Sequence, residues 1–418
     1  MWFRKPRICG IVDGYSSGNR LARAFRKRGF RCIHIQSTPE IFPINQSAFR
    51  PQDFIANLRH LGNFEETLES VRSYDPKVLI PGAEEGVELA DRLSEALGLV
   101  TNGSKSSPAR RNKFEMAEAL HRAGLRSIRT KRSADLREIL EWIERETPFP
   151  VVIKPPESSG ADGVRLCGSR SDVEEAFRPL LGAQNRLGGM TREVVAQTFV
   201  EGEEFLVNTL SWDGVHLVTD LWRSVKAKAN DRDFLYDYVE LVDLHDDRYR
   251  ELTKYVSKVL DAVGVRFGPA HSEVLVTRDG PVLLEVGARL CGGSLPSLVK
   301  DGLGIDPVEM VADVYSNPKT FGRYLRSARR LRKHVRLISL IVQKEGVVRG
   351  IPGAKRAEQL RSFDRFFMNI MLGTKLEKTI DVFSCPGDVI LSHEDENVVR
   401  EDYRTIREIE KEGFFELT

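Results

Sequence analysis

Residues 270–293 read AHSEVLVTRDGPVLLEVGARLCGG. Val274, Val276, Val282, Leu284 and Val286 alternate with other residues, which is the period of a half-buried strand. Arg278-Asp279-Gly280 fits a three-residue loop with glycine in the left-handed position, so the stretch reads as a β-hairpin. That register sets Val274 opposite Leu284 and Val276 opposite Val282. On the other face it sets Glu273 directly opposite Glu285. Two carboxylates roughly 5 Å apart across a ladder repel each other, and a divalent cation between them removes the conflict. Hard oxygen ligands with few other protein donors suit Mg²⁺ shared with the phosphates of a nucleotide. Arg289 follows just past the second strand, where its planar fork reaches a phosphoryl oxygen. The plain alternative is a solvent-facing hairpin whose acids never meet metal.

The rest of the chain sets the frame for that hairpin. Its 418 residues are 41% hydrophobic and 30% charged, enough for a large core in two or three domains. The 63 basic and 61 acidic residues leave a net charge of +2, so bulk charge argues for neither nucleic acid nor membrane. Cys9, Cys32, Cys167, Cys291 and Cys385 are scattered, without CxxC spacing, which suggests no disulfide framework and no zinc site. The opening MWFRKPRICGIVDGY has an apolar run too short for a signal peptide, and no segment approaches a membrane span. The expectation is a soluble, cytoplasmic protein.

Before the hairpin, alternating elements argue for a parallel sheet in the first hundred residues. A strand at 7–13, a helix at about 19–27 and a strand at 31–35 form one unit, and KVLIPGAEEGVELADRLSEALGL at 77–99 repeats the pattern. Ligands of such sheets sit at the carboxyl ends of the strands, which places Tyr15, Ser16, Ser17, Glu84 and Glu85 in a candidate cleft. Turn and N-cap chemistry is the plain reading of the two serines. Ser107-Pro108 reads as a helix start, with Gly124 stopping that helix. A second helix follows Ser133, strands dominate 149–219, helix returns at about 248–263, and 296–330 is helical. A basic cluster occupies 323–336, a mostly β segment spans 335–392, and a charged helix runs from about Asn397 to Gly413.

Two further stretches carry chemistry. In PFPVVIKPPESSGADGVRLCG (148–168) a strand delivers Lys154, and a loop with Ser158, Ser159, Gly160 and Gly163 follows. A point charge beside close backbone N–H groups suits polyphosphate, although an ordinary hairpin loop has the same look. In EVVAQTFVEGEEFLVNTL (193–210) a strand reaches Gln197 to Val200 and turns through Glu201-Gly202. Such a hinge can read an adenine edge, with Glu204 near ribose hydroxyls; a β-turn between two edge strands is the alternative.

The order of these pieces resembles the ATP-grasp superfamily over roughly 105–320, and within it the L-amino-acid ligases. VDGYSSG, PGAEEGVELAD, ARRNK, EVGARLCGG and SCPGDVILSHED carry that likeness. The resemblance implies an α/β (α+β) chain with an ATP-grasp fold. An N-terminal Rossmann-like domain takes 1–104. A two-lobed nucleotide-binding domain takes 105–322, its flap-bearing lobe at about 149–210. A β-rich segment takes 323–418. It implies an ATP-dependent ligase that joins an amino-acid carboxylate to an amine through an acylphosphate. The cofactors would be ATP and Mg²⁺, with Mn²⁺ as the alternative ion; the partners would be small molecules, with neither nucleic acid nor membrane, and a homodimer is common in similar ligases. Lys113 and Lys154 would reach the phosphates, with Ser158, Ser159, Gly160 and Gly163 forming a flap over them. Gln197, Phe199 and Val200 would line the adenine hinge, Glu204 would bind ribose, and Glu273 and Glu285 would hold the metal. Arg289 would steady the transferring phosphoryl group and the oxyanion. Ser16, Ser17, Glu84, Glu85, Tyr236 and His271 are candidate substrate contacts; for His271 a structural hydrogen-bonded role competes. The stretch 223–241 is a second lid candidate. Gly287 departs from the asparagine that many members carry two residues after the second metal glutamate. The rival readings are a ligase for a non-amino-acid intermediate, a nucleotide-binding regulator, and a nucleic-acid binder acting through the basic cluster.

Overall fold

The computed structural model describes residues 6–418 apart from Ser159 and Leu187. Strands β1 (Arg7–Val12), β2 (Phe30–Gln36), β3 (Asn57–Arg59) and β4 (Pro76–Pro81) form a parallel sheet in the order β3-β2-β1-β4. The chain winds one way through β2 and β3 and returns on the other side as β4. The switch point therefore lies between the carboxyl ends of β1 and β4, where such sheets open a crevice. Ser16 and Glu84 sit in the two loops that leave it. The loops approach closely: a Cβ on Gly18 would come within 2.1 Å of the Gly82 carbonyl oxygen, so a side chain is barred there.

A second, antiparallel sheet has the order β5-β8-β6-β7, from β5 (Thr130–Ser133), β6 (Val151–Lys154), β7 (Arg165–Cys167) and β8 (Val194–Thr198). Helices Leu136–Glu146 and Arg170–Leu180 cover one face, packing Ile139, Ile143, Val173 and Phe177 onto Val151, Ile153 and Ala196. The second helix falls where the sequence reads as strands. Its signal was the capping box: Asp172 N–H donates to Ser169 Oγ (3.3 Å), and the Ser169 N–H donates back to Asp172 Oδ2 (3.0 Å). Ser169→Ala is expected to cost about 1 kcal/mol, read as a shift in the denaturant midpoint with an unchanged slope.

The remaining strands build a larger sheet. β9 (Glu203–Trp212), β10 (Val215–Ala229), β11 (Arg232–Leu241), β12 (Gly268–Thr277) and β13 (Gly280–Gly287) are joined by β14 (His334–Ser339), beyond β15 (Gly346–Gly350) by β16 (Phe363–Met368), and beyond β17 (Lys375–Leu376) by β18 (Gly387–His393). The order is β13-β12-β9-β10-β11-β14-β18-β16, all antiparallel. The sheet thus runs straight through the boundary expected at 322/323. β15, β17 and β19 (Glu416–Leu417) make a small separate sheet. The expected lid at 223–241 is two paired strands. Their two-residue turn, Asn230-Asp231, has both residues at positive φ (52° and 57°), which suits the twist of a hairpin.

The helix expected from Ser107 begins later. Ser107–Arg110 is a single 3-10 turn, and the α-helix is Lys113–Arg122, capped by the Asn112 side chain. Ser107 Oγ instead donates to Asp91 Oδ2 (2.6 Å), which also takes Arg110 Nη2 (2.7 Å). The N-terminal unit docks on helix Pro307–Ser316 through Lys27–Glu309 (2.6 Å), Arg28–Glu309 (2.7 Å) and Arg28–Asp313 (2.8 Å). Within the basic cluster, Arg336 is buried and pairs with Glu240, while Arg323, Arg326, Arg330, Arg332 and Lys333 are exposed. All five cysteines are free and buried. Among the described residues no helix is long and apolar enough to cross a membrane.

Candidate active site

The β12–β13 hairpin pairs Glu273 directly with Glu285, as its sequence implies, but by a different route. The loop is Arg278-Asp279, with Gly280 (φ +103°) already paired to Thr277. This places Val274 opposite Leu283 and Val276 opposite Pro281, not opposite Leu284 and Val282. A β-bulge at Leu284 then restores the count. The bulge turns two consecutive side chains, Leu284 and Glu285, toward one cavity, while Leu283 and Val286 pack with Val274 against helix Arg250–Ala262.

That cavity, about 630 Å³, lies between the two antiparallel sheets. Lys113, Lys154, Ser158, Gly160, Gln197, Phe199, Val200, Glu204, Tyr236, Glu273 and Glu285 all line it. The segment Phe199–Gly202 crosses from β8 to β9, which belong to different sheets, so it is a hinge and not a hairpin turn. Gly163 is outside the lining; it turns the loop at φ +70° against Pro155 and Leu180. Ser159 lies outside the described residues.

The electrostatics follow from burial. Lys113 opens its helix and is held by Glu285 Oε2 (3.1 Å) and the Ser158 carbonyl (2.8 Å). Lys154, at the end of β6, is buried, and its ammonium has no hydrogen-bond or ion-pair partner among the described residues. Burial and the neighbouring Lys113 ammonium push it down to about 7. Glu204 is met by Lys226 (2.9 Å), whose ammonium also sits 3.2 Å from the Tyr236 ring centre. Burial would push the Glu273 carboxyl up, but the hydrogen bond and charge of His271, with Lys226 and Arg289, hold it well below the usual range.

His271 itself lies behind the cavity wall. Its Nδ1 donates to Asn208 Oδ1 (2.8 Å) and its Nε2 is 3.4 Å from Glu273 Oε1. Asn208 in turn donates to Asp220 (2.5 Å), which also accepts from Thr219 and Trp222 (2.7 Å each). This buried chain, invisible in the sequence because its members come from three strands, fixes the orientation of Glu273.

Of the N-terminal candidates, Glu84 reaches Arg289 and Ser16 reaches the Gly293 backbone. Arg289 Nε is 2.8 Å from Glu84 Oε2, and its Nη1 donates to the Leu290 carbonyl (3.1 Å). Ser16 Oγ accepts from Gly293 N–H (2.9 Å), Glu85 accepts from Asn45 (2.9 Å), and Ser17 is buried. None of these lines the cavity. Sequence reasoning missed Arg111, although it quoted ARRNK. Its side chain reaches Glu84 Oε1 (3.9 Å) and Glu157 Oε2 (3.5 Å), and donates to the Glu84 carbonyl.

Residues 147–297 match the ATP-grasp domain family. Over 412 residues the chain is 32% identical to dapdiamide A synthase of Enterobacter agglomerans, covering 97% of this chain and 96% of that protein. The chain belongs to the ATP-grasp carboxylate–amine ligases. A further relative of this ligase is the alanine–anticapsin ligase of Bacillus subtilis (strain 168), 24% identical over 235 residues, or 53% of this chain and 50% of that one. The fold of the ligase is also that of the crystal structure of an L-amino acid ligase from Bacillus licheniformis, with a TM-score of 0.77, 19% identity and 99% of each chain covered. Its reaction is therefore the ATP-dependent formation of an amide bond from a carboxylate and an amine.

Proposed function

We propose that this ligase joins the carboxylate of one amino acid to the amine of a second. The observation that supports this reading is the Glu273–Glu285 pair facing a cavity that also holds Lys113, Lys154 and the flap residues. The substrate carboxylate attacks the γ-phosphorus of ATP, giving an acylphosphate and ADP. The amine then attacks the acyl carbon, and phosphate leaves. Lys113 and Lys154 bind the phosphates, with Ser158 and Gly160 over them. Gln197, Phe199 and Val200 take the adenine, and Glu204, released from Lys226, takes the ribose.

The residues present fit a hard divalent ion. Two carboxylates at paired positions line one cavity, and among the described residues no cluster of three or more His, Cys, Asp or Glu is placed to hold a metal. Two protein ligands, with phosphate oxygens and water for the rest, suit Mg²⁺. Glu273 and Glu285 would hold it, and bound there it would neutralise phosphate charge. Arg289 would steady the transferring phosphoryl group and the oxyanion. The acylphosphate needs shelter from water, which the loop from Glu157 to Gly163 supplies.

Phosphate release from ATP in the presence of Mg²⁺ and paired amino acids, with mass spectrometry of the mixtures, tests this. A particular pair is expected to drive release and to yield a mass equal to the two minus water. ATP binding without release for any pair would overturn the amino-acid assignment.

A further inference from the structure

Glu84 belongs to the N-terminal unit, on the turn after β4, yet its carboxylate ends against the last residue of β13. A Cβ on Gly287 would stand 2.5 Å from Glu84 Oε2 and 3.3 Å from Arg289 Cζ. The backbone at Gly287 is not left-handed, so conformation does not call for glycine there. Space does. The volume a side chain at 287 would fill is occupied by the Glu84 carboxylate. Both partners are largely shielded, at 10% and 12% side-chain exposure, so the pair is weakly screened.

Arginine is long and has many rotamers, and its fork acts well only when aimed. Here Nε stands 2.8 Å from Glu84 Oε2 in an ion pair that is not a directed hydrogen bond, and Nη1 donates to Leu290, which leaves Nη2 without a protein partner among the described residues. Glu84 is itself braced. Arg111 donates to its carbonyl and reaches its Oε1, while its other nitrogen meets Glu157, whose Oε1 accepts from Asn112 (3.2 Å). Glu157 stands at the base of the flap. The chain Glu157–Arg111–Glu84–Arg289 thus links three parts of the molecule.

We propose that Glu84 is a positioning residue for ligation: seated in the space left by Gly287, it aims Arg289, and Arg111 ties that aim to the flap. This rests on Arg289 meeting the reacting groups, as read above.

Gly287→Ala should push the carboxylate aside, and the shorter acid in Glu84→Asp/Gly287→Ala should relieve the clash and restore the pair. Turnover is read as phosphate release with MgATP and an equimolar mixture of the twenty proteinogenic amino acids. Phenylglyoxal labelling of Arg289, read by peptide mass, needs no turnover. Gly287→Ala is expected to lower kcat roughly tenfold, with the Kd for MgADP unchanged, and to speed Arg289 labelling. The double variant should reverse both. Glu84→Gln, which keeps the volume, serves if Gly287→Ala does not fold, and should speed labelling in the same way. Wild-type labelling and kcat in Gly287→Ala would overturn the proposal, as would a loss that the double variant does not reverse. Arg289→Ala separates the two readings. Normal turnover there removes the role of Arg289, while labelling of Arg289 in Gly287→Ala and Glu84→Gln still reads whether Glu84 holds it.

Discussion

Glu285→Gln is expected to lower ATP turnover about 10³-fold while leaving the melting temperature close to wild type. The exchange keeps shape and hydrogen-bonding capacity but removes the charge that balances a cation. It also removes the ion pair that holds Lys113 at 3.1 Å, so one substitution disturbs the metal and a phosphate-binding lysine together. The fold does not depend on it: Glu285 faces the cavity, whereas its neighbours Leu283 and Val286 carry the packing. Removing one of two facing carboxylates also relieves their repulsion, which favours the folded state. Phosphate release and thermal unfolding on one sample check both halves. Near-normal turnover would remove Glu285 from the metal site.

Lys154→Met is expected to weaken MgADP binding roughly 100-fold at pH 7 and to abolish its pH dependence. Lys154 is pushed down to about 7 by burial and by Lys113. Below that pH the amine is already charged, and phosphate binds without a change in protonation. Above it the amine is neutral, and a bound phosphate, which favours the charged form, must draw a proton in. Affinity for MgADP therefore falls as pH rises past 7, by up to about tenfold per unit, until the pKa of the bound form is passed. Calorimetry in buffers of different ionisation heat reads the proton directly, with uptake approaching roughly one at pH 9. A flat profile in the wild-type protein would refute the assignment of a neutral lysine.

Much of the site was legible because it is carried by local patterns. Lys154 ends an apolar strand, and Glu273 and Glu285 sit on one face of a hairpin whose alternation shows in the sequence. That hairpin was read correctly for a reason only partly right. The loop is one residue shorter than expected, and the bulge at Leu284 makes up the difference. Neither feature has a strong local signature, since Arg-Asp-Gly suits either turn and leucine is not a marker of bulges. Helix Arg170–Leu180 was lost among strands because Pro179 and five charged residues dilute its apolar stripe, although the Ser169–Asp172 cap was there to be seen. What stayed hidden was assembled across the chain. Arg111, Glu84 and Arg289 are far apart in sequence, and the Asp220–Asn208–His271 chain joins three strands; no spacing rule reports such contacts.

The continuous eight-stranded sheet bears on how this ligase can change through descent. β11 carries Phe234 and Tyr236 into the cavity, while Tyr238 to Glu240 pair along its edge with Ile338 to Arg336 of β14. Wall and tail are two portions of one strand. Recombination that exchanged the segment after residue 322 would have to bring a strand matched to that edge, or leave a row of backbone donors and acceptors open to foreign pairing. The heritable module is the whole sheet, so trading the tail alone would carry that cost.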